Sequence, residues 1–156
     1  MLHRNLRRGA VVSATGIVLL LGSAGVAVAA NFVGTNGDDF FPGTSSADNI
    51  VGLGGDDRLF GELGNDNIVG GNGDDDIRGG RGNDRLSGGD DDDIIRGGLG
   101  RDTISAGAGA DAIDLAFVGT PDGERDVVSC GGGNDTVTGA DPKDVIAPDC
   151  ESVNPS

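Results

Sequence analysis

The sequence predicts an all-β fold built as a solenoid, with short strands stacked along one axis. Aspartate recurs every nine residues, at Asp39, Asp48, Asp57, Asp66, Asp75, Asp84, Asp93, Asp102 and Asp111. An apolar residue follows each one two positions later, at Phe41, Ile50, Leu59, Ile68, Ile77, Leu86, Ile95, Ile104 and Ile113. A short fixed period of this kind marks units that bury their apolar face only against the next copy of themselves. Composition points the same way: with 31 glycines and neither Trp nor Tyr, the chain is poorly equipped to build a conventional core. A disordered Gly/Asp-rich linker would share that composition but not the strict period.

Residues 1–29 have the pattern of a secretory signal peptide. Arg4, Arg7 and Arg8 precede an almost wholly apolar run from Gly9 to Ala30, which closes on the small-x-small triplet Ala27-Val28-Ala29. The alternative is an uncleaved membrane anchor. Cleavage places the protein outside the cell, secreted and extracellular, with no membrane attachment. It removes three of the eleven basic residues and none of the 26 acidic ones, leaving a net charge of −18. Such a chain repels nucleic acid and anionic membrane and favours cations as partners.

Residues 30–114 hold the regular repeat. Numbering its positions as slots from Gly70-Gly71-Asn72-Gly73-Asp74-Asp75-Asp76-Ile77-Arg78, each repeat divides into a six-residue turn and a three-residue strand centred on the apolar slot eight. Glycine fills slot one from Gly34 to Gly97 and most of slot four from Gly37 to Gly109. Both slots are expected to need unusual backbone: glycine permits positive φ and leaves no Cβ in the way, so carbonyl oxygens can turn inward toward an ion.

The pattern Gly-Gly-x-Gly-x-Asp-x-(apolar)-x, unbroken from Gly34 to Asp114, resembles the calcium-binding nonapeptide of RTX (hemolysin-type) proteins. The resemblance implies a right-handed parallel β-roll, two nonapeptides per coil, with calcium held between one turn and its equivalent eighteen residues on. Asp39, Asp57, Asp75, Asp93 and Asp111 would form one column of ligands, and Asp48, Asp66, Asp84 and Asp102 the other. Gly52, Gly55, Gly70, Gly73, Gly79, Gly82, Gly97 and Gly100 would complete the metal sites as turn residues. Two turns depart from the pattern at slot four, where Ser46 precedes Asp48 and Asp91 precedes Asp93.

Electrostatics supports a cation. Strands of one sheet lie about 4.8 Å apart, and two carboxylates at that separation repel by about 3 kcal/mol at an effective dielectric of about 20. A divalent ion reverses the sign, and an all-oxygen environment of Asp side chains and carbonyls suits calcium better than magnesium, which demands a tighter octahedron. Because each site exists only when neighbouring turns stack, ion binding and folding are expected to be one event, with a disordered metal-free chain.

After Asp114 the register breaks, and residues 115–125 form an interrupting loop in which Phe117 and Val118 are candidates to cap the core; Phe32, Phe40, Phe41 and Phe60 are candidates at the other end. Residues 126–156 follow as degenerate repeats, with Asp126, Asp135 and Asp144 back on the nine-residue clock six residues late. Cys130 and Cys150 lie in this tail. In an exported chain a disulfide is expected, with a reactive thiol or a metal ligand as alternatives. Closing a loop of about twenty residues would contribute about 3 kcal/mol on the chain-entropy estimate. The tail also resembles the disulfide-closed ending of small exported calcium-repeat proteins.

Nothing in the sequence suggests catalysis. The single histidine, His3, lies in the leader, and neither a Gly-x-Ser-x-Gly elbow nor a phosphate-binding Gly-x-x-x-x-Gly-Lys loop occurs. No Asp-x-Asp-x-Asp-Gly loop of the EF-hand type is present either. The expectation is therefore a non-enzymatic calcium-binding protein. The alternative is an adhesion or cell-envelope module rigidified by calcium, although the outward residues Asn49, Arg58, Asn67, Asp76 and Arg85 form no uniform ladder.

Overall fold

The structure, a computed structural model, describes residues 29–117 and 120–155; residues 1–28, which make up nearly all of the expected signal peptide, and Val118 lie outside them. The first strands are β1 (Asn31–Val33), β2 (Phe40–Pro42), β3 (Asn49–Gly54), β4 (Arg58–Leu63), β5 (Asn67–Asn72) and β6 (Asp76–Arg81). They continue as β7 (Arg85–Asp90), β8 (Ile94–Leu99), β9 (Thr103–Ala108) and β10 (Ala112–Asp114). Beyond the interruption come β11 (Ala116–Phe117), β12 (Thr120–Pro121), β13 (Val127–Gly132), β14 (Thr136–Ala140), β15 (Val145–Ile146) and β16 (Ser152–Pro155).

Alternate strands fall into two seven-stranded sheets, β1-β3-β5-β7-β9-β13-β15 and β2-β4-β6-β8-β10-β14-β16. Every pairing within them is parallel, so the chain winds as a β-solenoid of seven coils with one strand in each sheet per coil. The register steps by eighteen residues, as in Ile50 opposite Ile68 and Leu59 opposite Ile77. Two nonapeptides therefore make one coil.

The period-two alternation of a strand leaves slot eight pointing inward and slots seven and nine outward. Stacking then aligns identical slots: Phe32, Ile50, Ile68, Leu86, Ile104 and Val128 from one sheet, and Phe41, Leu59, Ile77, Ile95, Ile113 and Val137 from the other, all buried. Burial fades only in the last coil, where Val153 is 42% exposed. One large apolar side chain per strand makes up most of the core, supplemented by Leu115 at the interruption and small residues such as Ala106, so no coil is stable without neighbours.

At the N-terminal end Phe32 and Phe41 fill the first coil, their rings 5.5 Å apart. Phe40 and Phe60, expected as further caps, instead pack edge to face at 5.5 Å on the outer face, where Arg78 lies 5.1 Å from the Phe60 ring. Phe40 occupies outward slot seven and Phe60 outward slot nine, which the alternation keeps from the core.

The strands are longer than the sequence indicated. From β3 to β9 each spans six residues, slots seven to three, with slot one skipped in the ladder: Val51 pairs with Val69 and Leu53 with Gly71. Backbone pairing thus runs through the first half of what looked like turn. Within the regular repeats positive φ falls on slots two and four, whereas none of the slot-one glycines from Gly34 to Gly97 has it. Slot two is mostly glycine, but Leu53 (φ 87°) and Glu62 (φ 73°) hold the same conformation with a Cβ, at a cost of about 1 kcal/mol each. Leu53→Gly is therefore expected to raise the calcium-saturated melting temperature by a few degrees, while Leu53→Ala, which keeps the Cβ, gives no such gain.

The roll does not stop at the interruption. β13 stacks in parallel on β9, with Val128 opposite Ile104, and β14 on β10, with Val137 opposite Ile113. The six extra residues are absorbed at the edge, where β11 and β12 pair as a small antiparallel hairpin, and the step grows to 24 residues once. Cys130 and Cys150 form a disulfide with Cα atoms 5.2 Å apart, tying the last coil to the one before it. Cys130 sits at slot one, where most repeats have glycine, and is completely buried.

Candidate metal centre

Each aspartate of the nine-residue clock sits at slot six, where the turn re-enters the strand, and its side chain follows slot eight into the interior. Asp39 to Asp111, together with Asp126 and Asp135, are all at most 5% exposed. A buried carboxylate must be hydrogen-bonded or paired with a charge. One oxygen is served by the backbone. Oδ1 accepts the N–H of the equivalent aspartate one coil earlier: Asp39 donates to Asp57 and Asp48 to Asp66 at 2.7 Å, Asp57 to Asp75 and Asp66 to Asp84 at 2.8 Å. Asp75 donates to Asp93, Asp84 to Asp102 and Asp93 to Asp111 at 2.9 Å. The ladder crosses the interruption intact, from Asp102 to Asp126 at 2.8 Å and from Asp111 to Asp135 at 2.9 Å.

The other oxygen has nothing. Oδ2 of Asp57, Asp66, Asp75, Asp84, Asp93, Asp102, Asp111 and Asp135 is buried without a hydrogen-bond partner. The same oxygen is left without a hydrogen bond at one position in successive coils, where a positive charge would satisfy it. The slot-one glycines mark where these oxygens lie. A Cβ built on Gly79 would overlap Asp84 Oδ2 and sit 2.6 Å from the Gly97 carbonyl oxygen one coil on. The same pair of oxygens surrounds Gly52 (Asp57 Oδ2, and the Gly70 carbonyl at 2.7 Å) and Gly70 (Asp75 Oδ2, and the Gly88 carbonyl at 2.9 Å), and Asp102 Oδ2 lies 2.5 Å from the position at Gly97. Carboxylate and carbonyl oxygens from successive coils therefore converge, which is the donor set of a hard cation. Among the described residues no three His, Cys, Asp or Glu side chains gather at one point, so any ion must draw on the backbone as well.

Gly55, Gly73, Gly82 and Gly100 at slot four act differently, through their positive φ of 97°, 110°, 137° and 124°. These angles turn the chain out of the strand and bring it against the preceding coil. A Cβ on Gly82 would overlap the Gly64 carbonyl oxygen. Gly82→Ala is expected to lose about 3 kcal/mol, the sum of backbone strain and overpacking, read as a fall in melting temperature in saturating calcium.

Electrostatics records the missing charge. Burial pushes the carboxyl groups of Asp57 and Asp75 up to about 6 and those of Asp66, Asp93 and Asp102 up to about 7, partly opposed by the backbone hydrogen bond each accepts and reinforced by neighbouring carboxylates. Asp84 and Asp111 are raised for the same first reason, and Asp126 reaches about 6. Burial thus favours the protonated form of these carboxyls over the charged one.

Asp39 and Asp48 differ from the seven that follow. Thr35 N–H donates to Asp39 Oδ2 at 2.6 Å and the Thr35 hydroxyl lies 3.1 Å from it. Thr44 N–H donates to Asp48 Oδ2 at 2.6 Å, and its hydroxyl lies 3.0 Å from Oδ1. At the other end Asp144 accepts from Asp126 N–H at 3.0 Å and Asp141 N–H at 2.7 Å, while Glu151 takes the N–H of Asp135 at 2.9 Å.

A second ladder runs beside the first. At slot five, the side chain of each Asp or Asn accepts the N–H of the residue eighteen positions on: Asp38 from Asp56, Asp56 from Asp74, Asp74 from Asp92 and Asp92 from Ala110 along one edge, Asn65 from Asn83 and Asn83 from Arg101 along the other. The signal was present as Asp or Asn recurring at slot five, masked by the stronger clock beside it. The edge carrying the Asp39 column is consequently the more acidic.

The profile of the RTX calcium-binding nonapeptide repeat matches the chain in four copies, over residues 33–68, 69–104, 87–116 and 122–146. No curated protein and no solved structure matches it.

Proposed function

The chain belongs to the RTX calcium-binding nonapeptide repeat family, and from that premise we propose that it is a secreted, non-catalytic protein that folds by taking up several calcium ions between its stacked turns. The observation that carries this reading is the row of buried, unpartnered Oδ2 atoms from Asp57 to Asp111 and at Asp135. Calcium supplies the positive charge these oxygens lack. The aspartates hold it by Oδ2 while Oδ1 stays on the backbone of the preceding coil, so binding an ion also fixes the register between coils. The slot-one glycines keep the space open, and the slot-four glycines bend the chain around it.

Secretion follows from the leader peptide and accords with the disulfide, which persists in oxidising surroundings. Outside the cell, calcium in the millimolar range would act as the folding trigger. The test is a calorimetric calcium titration of the chain starting at Ala30, with circular dichroism in parallel. Several ions per chain, and strand signal rising with occupancy, are expected; a chain that binds no calcium would refute the reading.

A second reading, a calcium-rigidified module that contacts a cell surface, is favoured by one feature. The outer face of β2, β4 and β6 carries exposed Phe40 against Phe60, with Arg78 over the Phe60 ring. Retention on the producing cells that disappears with chelator and with Phe60→Ala would support it.

A further inference from the structure

We propose that Thr35 and Thr44 terminate the metal ladder, holding the first coil by hydrogen bonds so that Asp39 and Asp48 carry no calcium. The inference rests on the calcium reading above and concerns where occupancy begins. From the second coil onward, slot two is left-handed without exception through Gly107: Leu53, Glu62, Gly71, Gly80, Gly89, Gly98 and Gly107 all have positive φ. Thr35 and Thr44, at the same slot of the first two repeats, do not. That difference re-aims one N–H group. In the ordinary conformation it points at the carboxylate four residues on and donates to Asp39 Oδ2 or Asp48 Oδ2 at 2.6 Å. These are the oxygens left bare in the next seven repeats.

The threonine side chain stabilises this alternative state of the turn. Its hydroxyl accepts the N–H of the slot-four residue, Gly37 or Ser46, at 3.2 Å. Its single proton can go to the slot-four carbonyl or to the aspartate, at 3.1 Å for both in Thr35 and at 3.4 and 3.0 Å in Thr44. Slot four then needs no left-handed glycine: Ser46 occupies it without positive φ, and Gly37 is not in that region either. The departure from the repeat at Ser46 is thereby explained. These turns are built for a hydrogen-bond donor in place of an ion.

Two sets of variants of the chain from Ala30 test this, with calcium stoichiometry read by calorimetry and folding by circular dichroism in saturating calcium. Asp39→Asn/Asp48→Asn, which keeps a hydrogen-bonding oxygen but removes the charge, is expected to retain the parent stoichiometry and fold. Asp66→Asn/Asp84→Asn is expected to lose ions. Loss of ions or of folding in the Asp39/Asp48 pair would overturn the proposal. Thr35→Gly/Thr44→Gly frees slot two to take the left-handed conformation, and a gain of one or two ions per chain is expected. An unchanged count in a folded glycine pair would also overturn it. If the parent itself binds no calcium, the failure belongs to the underlying calcium reading and is recognised as such.

Discussion

Stripping calcium from the chain at neutral pH is expected to erase nearly all of its strand structure in one cooperative transition. Eight buried carboxylate oxygens then face the interior with no partner. Leaving even one charged group buried and unpaired costs about 3 kcal/mol or more, and carboxylates stacked at strand spacing repel one another by about 3 kcal/mol per pair. A domain of this size has only about 5–15 kcal/mol of net stability to lose. The core cannot compensate, since each strand contributes little beyond one large apolar side chain. Cooperativity follows from the stacking, because an ion lost between two coils removes a ligand set from both. Far-UV circular dichroism and amide hydrogen exchange in excess chelator at pH 7.5 check this. A spectrum still rich in strand under those conditions would show that calcium only decorates a fold that stands without it.

Acid is expected to restore strand structure to the calcium-free chain, the reverse of ordinary acid denaturation. Burial raises the carboxyl groups of Asp57 and Asp75 from 3.8 to about 6 and those of Asp66, Asp93 and Asp102 to about 7. Between those limits the folded chain binds more protons than the unfolded one, so its stability falls as pH rises through the window and is greatest near pH 4. A proton neutralises the unpartnered oxygen that calcium otherwise serves. In chelator, the strand signal is expected to grow as pH is lowered from 8 to 4.5. Protons also compete with calcium, so the calcium affinity of the folded chain is expected to weaken between pH 7 and pH 5, while the calcium concentration needed for half-folding falls because the proton already stabilises the folded state. Calcium-free samples whose strand content falls or stays flat on acidification would contradict this.

Much of the fold could be derived from residue order. The interval between Asp57 and Asp75 fixes a coil of two nonapeptides once the family resemblance supplies the pairing, and Ile68 above Ile50 follows from it. A disulfide is expected from the two cysteines of the tail, and Cys130 and Cys150 are joined. Other features were hidden because they depend on which way a peptide plane faces. Left-handed backbone is expected at slots one and four and occurs, within the regular repeats, at two and four; slot one is glycine there because a Cβ would meet a carboxylate and the next coil's carbonyl. The roll also continues past Asp114, since six inserted residues can leave through the edge without disturbing the parallel ladder on either side.

The sequence by itself determined the period, the side chains that face inward, the all-oxygen chemistry and the acidic balance, because each is a property of residue type and spacing. Only the tertiary structure decided which carboxylates have an oxygen to give. Asp39 and Asp84 occupy the same slot of the same repeat, yet one is closed by Thr35 and the other lies open. The distinction arises from the φ of a single residue four positions upstream, left-handed in the later repeats and not at Thr35, which re-aims its N–H at the carboxylate.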